Sequence, residues 1–252
     1  MNPTNRLVYF IYFTCARHYP YFSRSLKSMA ALRAKEVGAV YAYVDEHDYL
    51  SAEQLESVQR LMPGIKIFKS KTLTGWGEQS VEVITGAFTS LARDLPPECY
   101  VAKIDSDVIF RGGKFFADLF DADADYQGCS VNNSSFMYPV GGCYFLKARL
   151  AARLGELNLH AVCEQTLQRV NASGPEKYAN VPEDAAMQVF VNLLGGKTRF
   201  MPDYSKCIMH FAGTAKSEML KYDNKLYWSY KYHIRPFIGS FIPDGIKKRI
   251  KS

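Results

Sequence analysis

Two carboxylates stand two residues apart in the stretch Tyr100-Val-Ala-Lys-Ile-Asp105-Ser-Asp107-Val-Ile-Phe110. Apolar residues run into the pair and resume after it. Carboxylates rarely sit among apolar residues unless they are paired or bound to a cation. Where a strand stops, side chains at i and i+2 can converge on one divalent ion. Hard oxygen ligands of this kind suit Mg2+ or Mn2+. In open α/β sheets ligands bind at the carboxyl ends of strands, which is where this pair falls. The competing reading is a polar turn closed by an Asx hydrogen bond.

Three later features could complete such a site. Tyr138-Pro-Val-Gly141-Gly142-Cys-Tyr-Phe-Leu146 reads as a Gly-Gly turn entering an apolar strand. It is either a plain tight turn or a place where a ligand approaches the backbone closely. Val181-Pro-Glu183-Asp184-Ala-Ala-Met187 opens a helix. Acidic residues in a first turn complement the helix dipole, or they present a general base to a cleft. Met209-His210-Phe211 places one imidazole after an apolar strand. Such a histidine is either a satisfied core residue or, beside Asp105 and Asp107, a third metal ligand.

The elements that must carry these residues alternate between apolar runs and helical patterns, which points to an α/β fold. Strands are expected at Leu7–Thr14, Ala39–Val44, Ile65–Phe68 and Tyr100–Ile104. Helices are expected at Ser23–Lys35, Ser51–Met62 and Glu78–Asp94. Ser51 with Gln54 three residues on forms a capping-box signature, and Pro63-Gly64 ends that helix. Beyond residue 110 the rhythm is less regular. Asp118–Asp125 reads as an acidic loop, Tyr126–Val131 and Cys143–Leu146 as strands, and Leu150–Leu167 as a helix. A helix over Pro182–Leu194 stops at Gly195-Gly196, followed by strands at Thr198–Met201 and Cys207–Phe211.

The order of these features resembles the GT-A glycosyltransferases, which use nucleotide sugars and a metal ion. The likeness runs over about residues 7–211: a first strand ending at Thr14, a second ending at Asp45, Lys-Ile-Asp-Ser-Asp, Gly-Gly-x-Tyr, Pro-Glu-Asp and then His-Phe. Within that group the order is most similar to the inverting Fringe-like and beta-1,3-glycosyltransferase family. This sequence has Asp-Ser-Asp where three aspartates are common there, and Ala185 where valine is usual. The resemblance implies a Rossmann-like mixed sheet flanked by helices, one domain over 1–215. Its nucleotide-binding half would be 1–110 and its acceptor and catalytic half 111–215. It also implies roles. Asp107 and His210 would ligate Mn2+ or Mg2+, and Asp105 would reach the metal or the ribose. Thr14, Asp45 and Ser106 would bind the donor, with Arg17 on its diphosphate and Gly141 and Gly142 along the sugar. Asp184 would be the catalytic base with Glu183 beside it. The expected reaction transfers a sugar, from a UDP sugar, to a hydroxyl of a glycan or lipid-linked glycan with inversion. The alternative is a retaining enzyme of the same fold.

Charge bears on partners. The net charge of +6 lies wholly in the last 37 residues of the 252, whereas residues 1–215 carry 22 basic and 22 acidic side chains. A basic surface confined to a tail does not suit a nucleic-acid-binding domain. That tail, 216–252, is also aromatic. Ile242, Ile246 and Ile250 recur among lysines and arginine, as on an amphipathic helix lying on an anionic membrane, though a solvated terminus reads equally well. The six cysteines show no CxxC pair. No apolar run approaches the roughly 20 residues of a spanning helix. A cytoplasmic enzyme, peripheral on the inner membrane face, is expected.

Rival chemistries are weaker. Phosphotransferases with an Asp-x-Asp nucleophile place it after the first strand, and here it follows the fourth. A nucleotidyltransferase would need a Gly-rich basic run near Thr14, which is lacking. A binding module with a degenerate site would not need Asp105, Asp107, Asp184 and His210 together.

Overall fold

The computed structural model describes residues 6–71, 76–130, 136–170, 177–201, 204–211 and 219–220. The chain divides into two compact units, Met1–His210 and Phe211–Ser252, and all the elements below belong to the first.

Strands β1 (Val8–Thr14), β2 (Val37–Asp45), β3 (Lys66–Ser70) and β4 (Tyr100–Asp105) are parallel, in the order β3-β2-β1-β4. Helices α1 (Tyr19–Leu32), α2 (Ala52–Leu61) and α3 (Glu78–Ala92) connect them. A short strand β5 (Val108–Phe110) and helix α4 (Phe115–Asp121) lead to β6 (Tyr126–Ser130) and β7 (Pro139–Lys147). Strand β7 joins the sheet antiparallel to β4, and β6 pairs antiparallel with β7. Helices α5 (Ala148–Ala151), α6 (Leu159–Arg169) and α7 (Glu183–Leu193) follow, then β8 (Thr198–Phe200), parallel to β6. Helix α8 (Tyr204–Cys207) precedes β9 (Ile208–His210), which pairs with β5 in a separate two-stranded ribbon. The main sheet therefore has seven strands, mostly parallel, with helices on both faces.

The pleat sorts the core. Along β1, Val8, Phe10 and Tyr12 join one buried cluster with Phe22, Leu26, Phe110 and Phe115, under α1 and α4. Ile11 joins the other, with Val81, Phe88, Tyr144 and Phe190, under α3 and α7. A strand covered on both faces reads as a continuous apolar run, because its alternate side chains enter different cores. The capping box of α2 forms as expected: Gln54 N donates to Ser51 Oγ and Ser51 N to Gln54 Oε1. Gly64 beyond it, at φ 85°, and Gly195 after α7, at φ 73°, take left-handed conformations that end their helices.

Several expectations need correction. Helix α1 begins four residues earlier than expected, with Pro20 in its first turn. The expected helix over 150–167 is broken into α5, a 3-10 turn at Leu154–Glu156 and α6. Asn158 restarts the chain as an N-cap, accepting from Ala161 N at 2.9 Å. The acidic stretch 118–125 is partly helical, since Phe115, Phe116 and Leu119 bury one side of α4. Asp125 within it is a buried anchor that takes Arg149 at 2.6 Å and Lys197 N at 2.9 Å. Gly141 and Gly142 lie inside β7 and not in a turn before it. The expected strand over 207–211 is shorter, and Cys207 ends α8.

One buried charge ties the sheet to α7. Period two puts Val101, Lys103 and Asp105 on the same face of β4. Lys103 lies directly across from Tyr144 of β7. Its ammonium, only 3% exposed as a residue, lies 2.6 Å from Glu183 Oε1 and 2.6 Å from Asp105 Oδ1. The Tyr144 hydroxyl donates to Glu183 Oε2 at 2.9 Å. Breaking such a pair leaves one charge buried and unmatched, at a cost of roughly 3–5 kcal/mol, whereas an apolar replacement of both partners is often neutral. Lys103→Met should therefore lower the urea midpoint by about that much stability, and Lys103→Met/Glu183→Met should recover most of it. A double variant no more stable than the single one would show that the pair is not the unit.

Candidate active site

Strands β2, β1 and β4 end side by side, so Asp45, Thr14 and Asp105 stand in a row at their carboxyl ends. The turn after β4 carries Ser106 and Asp107. The β5–β9 ribbon sets His210 opposite Val108, next to Asp107 in sequence. That pairing converts a separation of about a hundred residues into contact.

Asp105, Asp107 and His210 each offer one ligating atom, and these atoms lie within 4.8 Å of one another. His210 Nε2 is 3.2 Å from Asp107 Oδ1 and 3.8 Å from Asp105 Oδ2. Neighbouring ligands of an octahedral ion with bonds of about 2.1 Å stand roughly 3 Å apart, so the Asp107–His210 spacing fits one ion and Asp105 needs only a small closure. Two hard oxygens and one imidazole suit Mn2+ or Mg2+. Burial pulls the His210 imidazole down. The hydrogen bond to Asp107 and the charges of Asp105 and Asp107 outweigh this and hold it above its ordinary value.

Gly142 provides the seat for that imidazole. A Cβ at this position would collide with His210 Cγ and Nδ1. The glycine is required here by side-chain packing, and no left-handed backbone is involved.

Glu183 and Asp184 open α7, yet their surroundings differ. Glu183 is buried against Lys103 and Tyr144. Burial pushes its carboxyl up, to about 7, while the Lys103 ammonium pulls the other way. Lys103 itself, despite burial, is held well above its ordinary value by Asp105 and Glu183. Asp184 is half-buried, and its Oδ1 accepts from Ala185 N at 2.9 Å. The Tyr126 hydroxyl donates to the Asp184 carbonyl at 3.3 Å. Burial first, and then the charges of Asp184 and Glu183, raise the phenols of Tyr126 and Tyr138.

The other expected donor contacts are distributed less simply. Thr14 and Ser106 are buried and bond to each other, Oγ to Oγ1 at 2.8 Å, which fastens the end of β1 to the turn after β4. Asp45 accepts from His47 N at 2.9 Å and caps a 3-10 turn. Arg17 is exposed and bonded to Asp48 at 2.9 Å. Gly141 is in β7; nothing further is assigned to it. Lys103 and Tyr144 are the participants that the motif reading missed. Their signal was a lysine two residues before Asp105 in a strand otherwise apolar.

No protein-family model matches the sequence, and no curated protein matches it. Solved structures do. The galactosyltransferase LgtC, seen with donor and acceptor sugar analogues, superposes with a TM-score of 0.53 at 11% identity over 84% of this chain and 95% of that one. An active-site mutant of LgtC gives 0.52 at 12% identity over the same shares. The bifunctional glycosyltransferase WbbM gives 0.54 at 11% identity over 85% of this chain and 49% of that one. At such identities the likeness concerns architecture, and the architecture of this chain is the GT-A glycosyltransferase fold.

Proposed function

We propose that the chain is a metal-dependent glycosyltransferase. It moves a sugar from a nucleoside diphosphate sugar, with uridine as the nucleoside, to a hydroxyl of a glycan or lipid-linked glycan. The observation that carries this reading is the convergence of Asp105, Asp107 and His210 at the end of β4, on a sheet of GT-A type. Placement within the Fringe-like family rests on the order of the sequence motifs.

Asp107, His210 and Asp105 would hold the ion. When bound, it supplies a Lewis acid that neutralises the diphosphate leaving group. Asp184 accepts the proton of the acceptor hydroxyl as that oxygen attacks the anomeric carbon, which gives inversion. Glu183, held by Lys103 and Tyr144, fixes the first turn of α7 and so the position of Asp184. Asp45 and Arg17 contact the donor at the ends of β2 and β1, with Arg17 exchanging Asp48 for the diphosphate. The Thr14–Ser106 pair forms the floor of that region.

Mn2+ titrated into the protein should bind one equivalent, and the same ion should support nucleotide-sugar hydrolysis that EDTA abolishes. Asp107→Ala and His210→Ala should lose both. Gly142→Ala should weaken Mn2+ binding at least tenfold by displacing the imidazole. Because the proton on His210 competes with the metal and is held above its ordinary pKa, affinity should rise with pH through the imidazole range. Titrations indifferent to these changes would refute the site.

Asp184→Asn should cut kcat for transfer by about 10²–10⁴-fold while leaving donor affinity nearly intact. Loss of both together would remove Asp184 from the chemistry. Proton NMR of the first-formed product reads the anomeric configuration directly, and retention would replace the single displacement by a different role for this carboxylate.

The tail 216–252 we assign to an anionic membrane, at the cytoplasmic face where lipid-linked acceptors lie. Its amphipathic isoleucine pattern lies outside the described residues. Among the described residues no helix is long and apolar enough to cross a membrane. Deleting residues 240–252 should reduce co-sedimentation with phosphatidylserine vesicles, and equal partition would reject the assignment.

A further inference from the structure

Trp76 is a large apolar side chain left 58% exposed immediately before α3. Its backbone is firmly held. Trp76 forms an antiparallel bridge with Pro182, and Gly77 N donates to Val181 O at 2.9 Å. The Ser80 hydroxyl donates to the Trp76 carbonyl at 2.8 Å. Gly77, at φ 89°, would bring a Cβ to 3.1 Å from Ala179 O, so the two segments cannot separate without losing this fit. Backbone hydrogen bonds and a glycine at positive φ therefore hold the main chain of an exposed tryptophan in place.

The place is informative. Pro182 is two residues before Asp184, so the bridge sets the Trp76 and Asp184 Cα atoms within about 12 Å. Half-buried Tyr138, whose ring is tilted against Phe136 at 5.6 Å, has its phenol raised by burial and then by the charges of Asp184 and Glu183. Single exposed apolar residues are ordinary. An exposed tryptophan whose backbone is bridged two residues from Asp184 is a different case. Ligand sites combine aromatic walls with a few placed polar groups. The electron-rich face of an indole attracts the positively polarised axial C–H groups of a pyranose.

We propose that Trp76 is the platform for the acceptor sugar, with the pyranose stacked on its indole and a hydroxyl directed to Asp184. The ligand class is a neutral pyranoside at the end of a glycan. This rests on the glycosyltransferase reading and adds to it the residue that selects the acceptor. Trp76 acts in binding the acceptor and not in the displacement itself.

The test offers methyl pyranosides of glucose, galactose, mannose and N-acetylglucosamine to the full chain with Mn2+ and UDP. Saturation-transfer difference NMR reads contact at individual sugar protons. At least one pyranoside should receive saturation on its axial C–H protons. Trp76→Ala should weaken that sugar's affinity about three- to tenfold, and Trp76→Phe by less than twofold, with thermal midpoints unchanged. Binding by none of the four sugars, unaltered affinity in Trp76→Ala, or equal weakening in both variants would overturn the proposal. Mn2+-dependent nucleotide-sugar hydrolysis by the wild type is followed in parallel. Its absence defeats the transferase reading, whereas hydrolysis without pyranoside binding defeats the Trp76 platform alone.

Discussion

The Lys103 ammonium is the constraint on which the rest of the site depends. It is buried, and it touches carboxylates from two elements that no short connection joins, Asp105 on β4 and Glu183 on α7. A buried ion pair is a weak source of net stability, because desolvation consumes most of the Coulomb gain. Its use is geometric. The ammonium can satisfy both carboxylates only if the end of β4 and the first turn of α7 meet at one spacing. Tyr144, directly across the ladder from Lys103, takes the second oxygen of Glu183 and removes the remaining freedom. The residue that follows Glu183 is Asp184, so fixing the buried carboxylate also fixes the backbone that carries the half-buried one.

The candidate metal-ligating group, Asp105, Asp107 and His210, is held by a complementary device on the neighbouring strand. His210 arrives on a three-residue ribbon that is not part of the main sheet. Such a short strand cannot orient a ring by pairing alone. The missing side chain of Gly142 provides a surface against which the imidazole lies, with its Nε2 toward Asp107. Two residues along β7, Tyr144 supports Glu183. One strand thus positions the histidine with a glycine and the helix with a tyrosine, using alternate residues on one face.

Legibility in the sequence followed the range of the interactions. The α2 capping box and the stop at Gly195 depend on residues a few positions apart, and both were readable. Strand β1 was readable because it is apolar on both faces. Asp105 and Asp107 stood out because charge among apolar residues needs a reason. What was not readable depends on distant partners. Lys103 is conspicuous in β4, but Glu183 lies eighty residues away. The Gly141-Gly142 pair looked like a turn, since nothing local reveals that His210 needs the space. Strand β5 is three residues long, too short for a periodic signal, and it exists because β9 pairs with it. The break after Ala151 was masked by helix-forming residues on both sides of Asn158.

The electrostatics of this arrangement favour a bound cation. Four carboxylates, Asp105, Asp107, Glu183 and Asp184, lie around the end of β4 and the start of α7, with the Lys103 ammonium and the His210 imidazole against three of them. Lys103 is committed to two of the carboxylates. Asp107 and Asp105 favour a proton on His210, which metal ligation through the same nitrogen would displace. A nucleoside diphosphate would bring further negative charge into the same region. The body of the chain offers no excess to meet it, with 22 basic against 22 acidic residues over 1–215, and Arg17 is already bonded to Asp48. Like charges at such separations repel by several kcal/mol even at an effective dielectric of about 20. A divalent ion between Asp105, Asp107 and His210 reverses that sign locally. On this reading the metal is the condition for the anionic donor to enter at all, and its affinity must be established before the donor's.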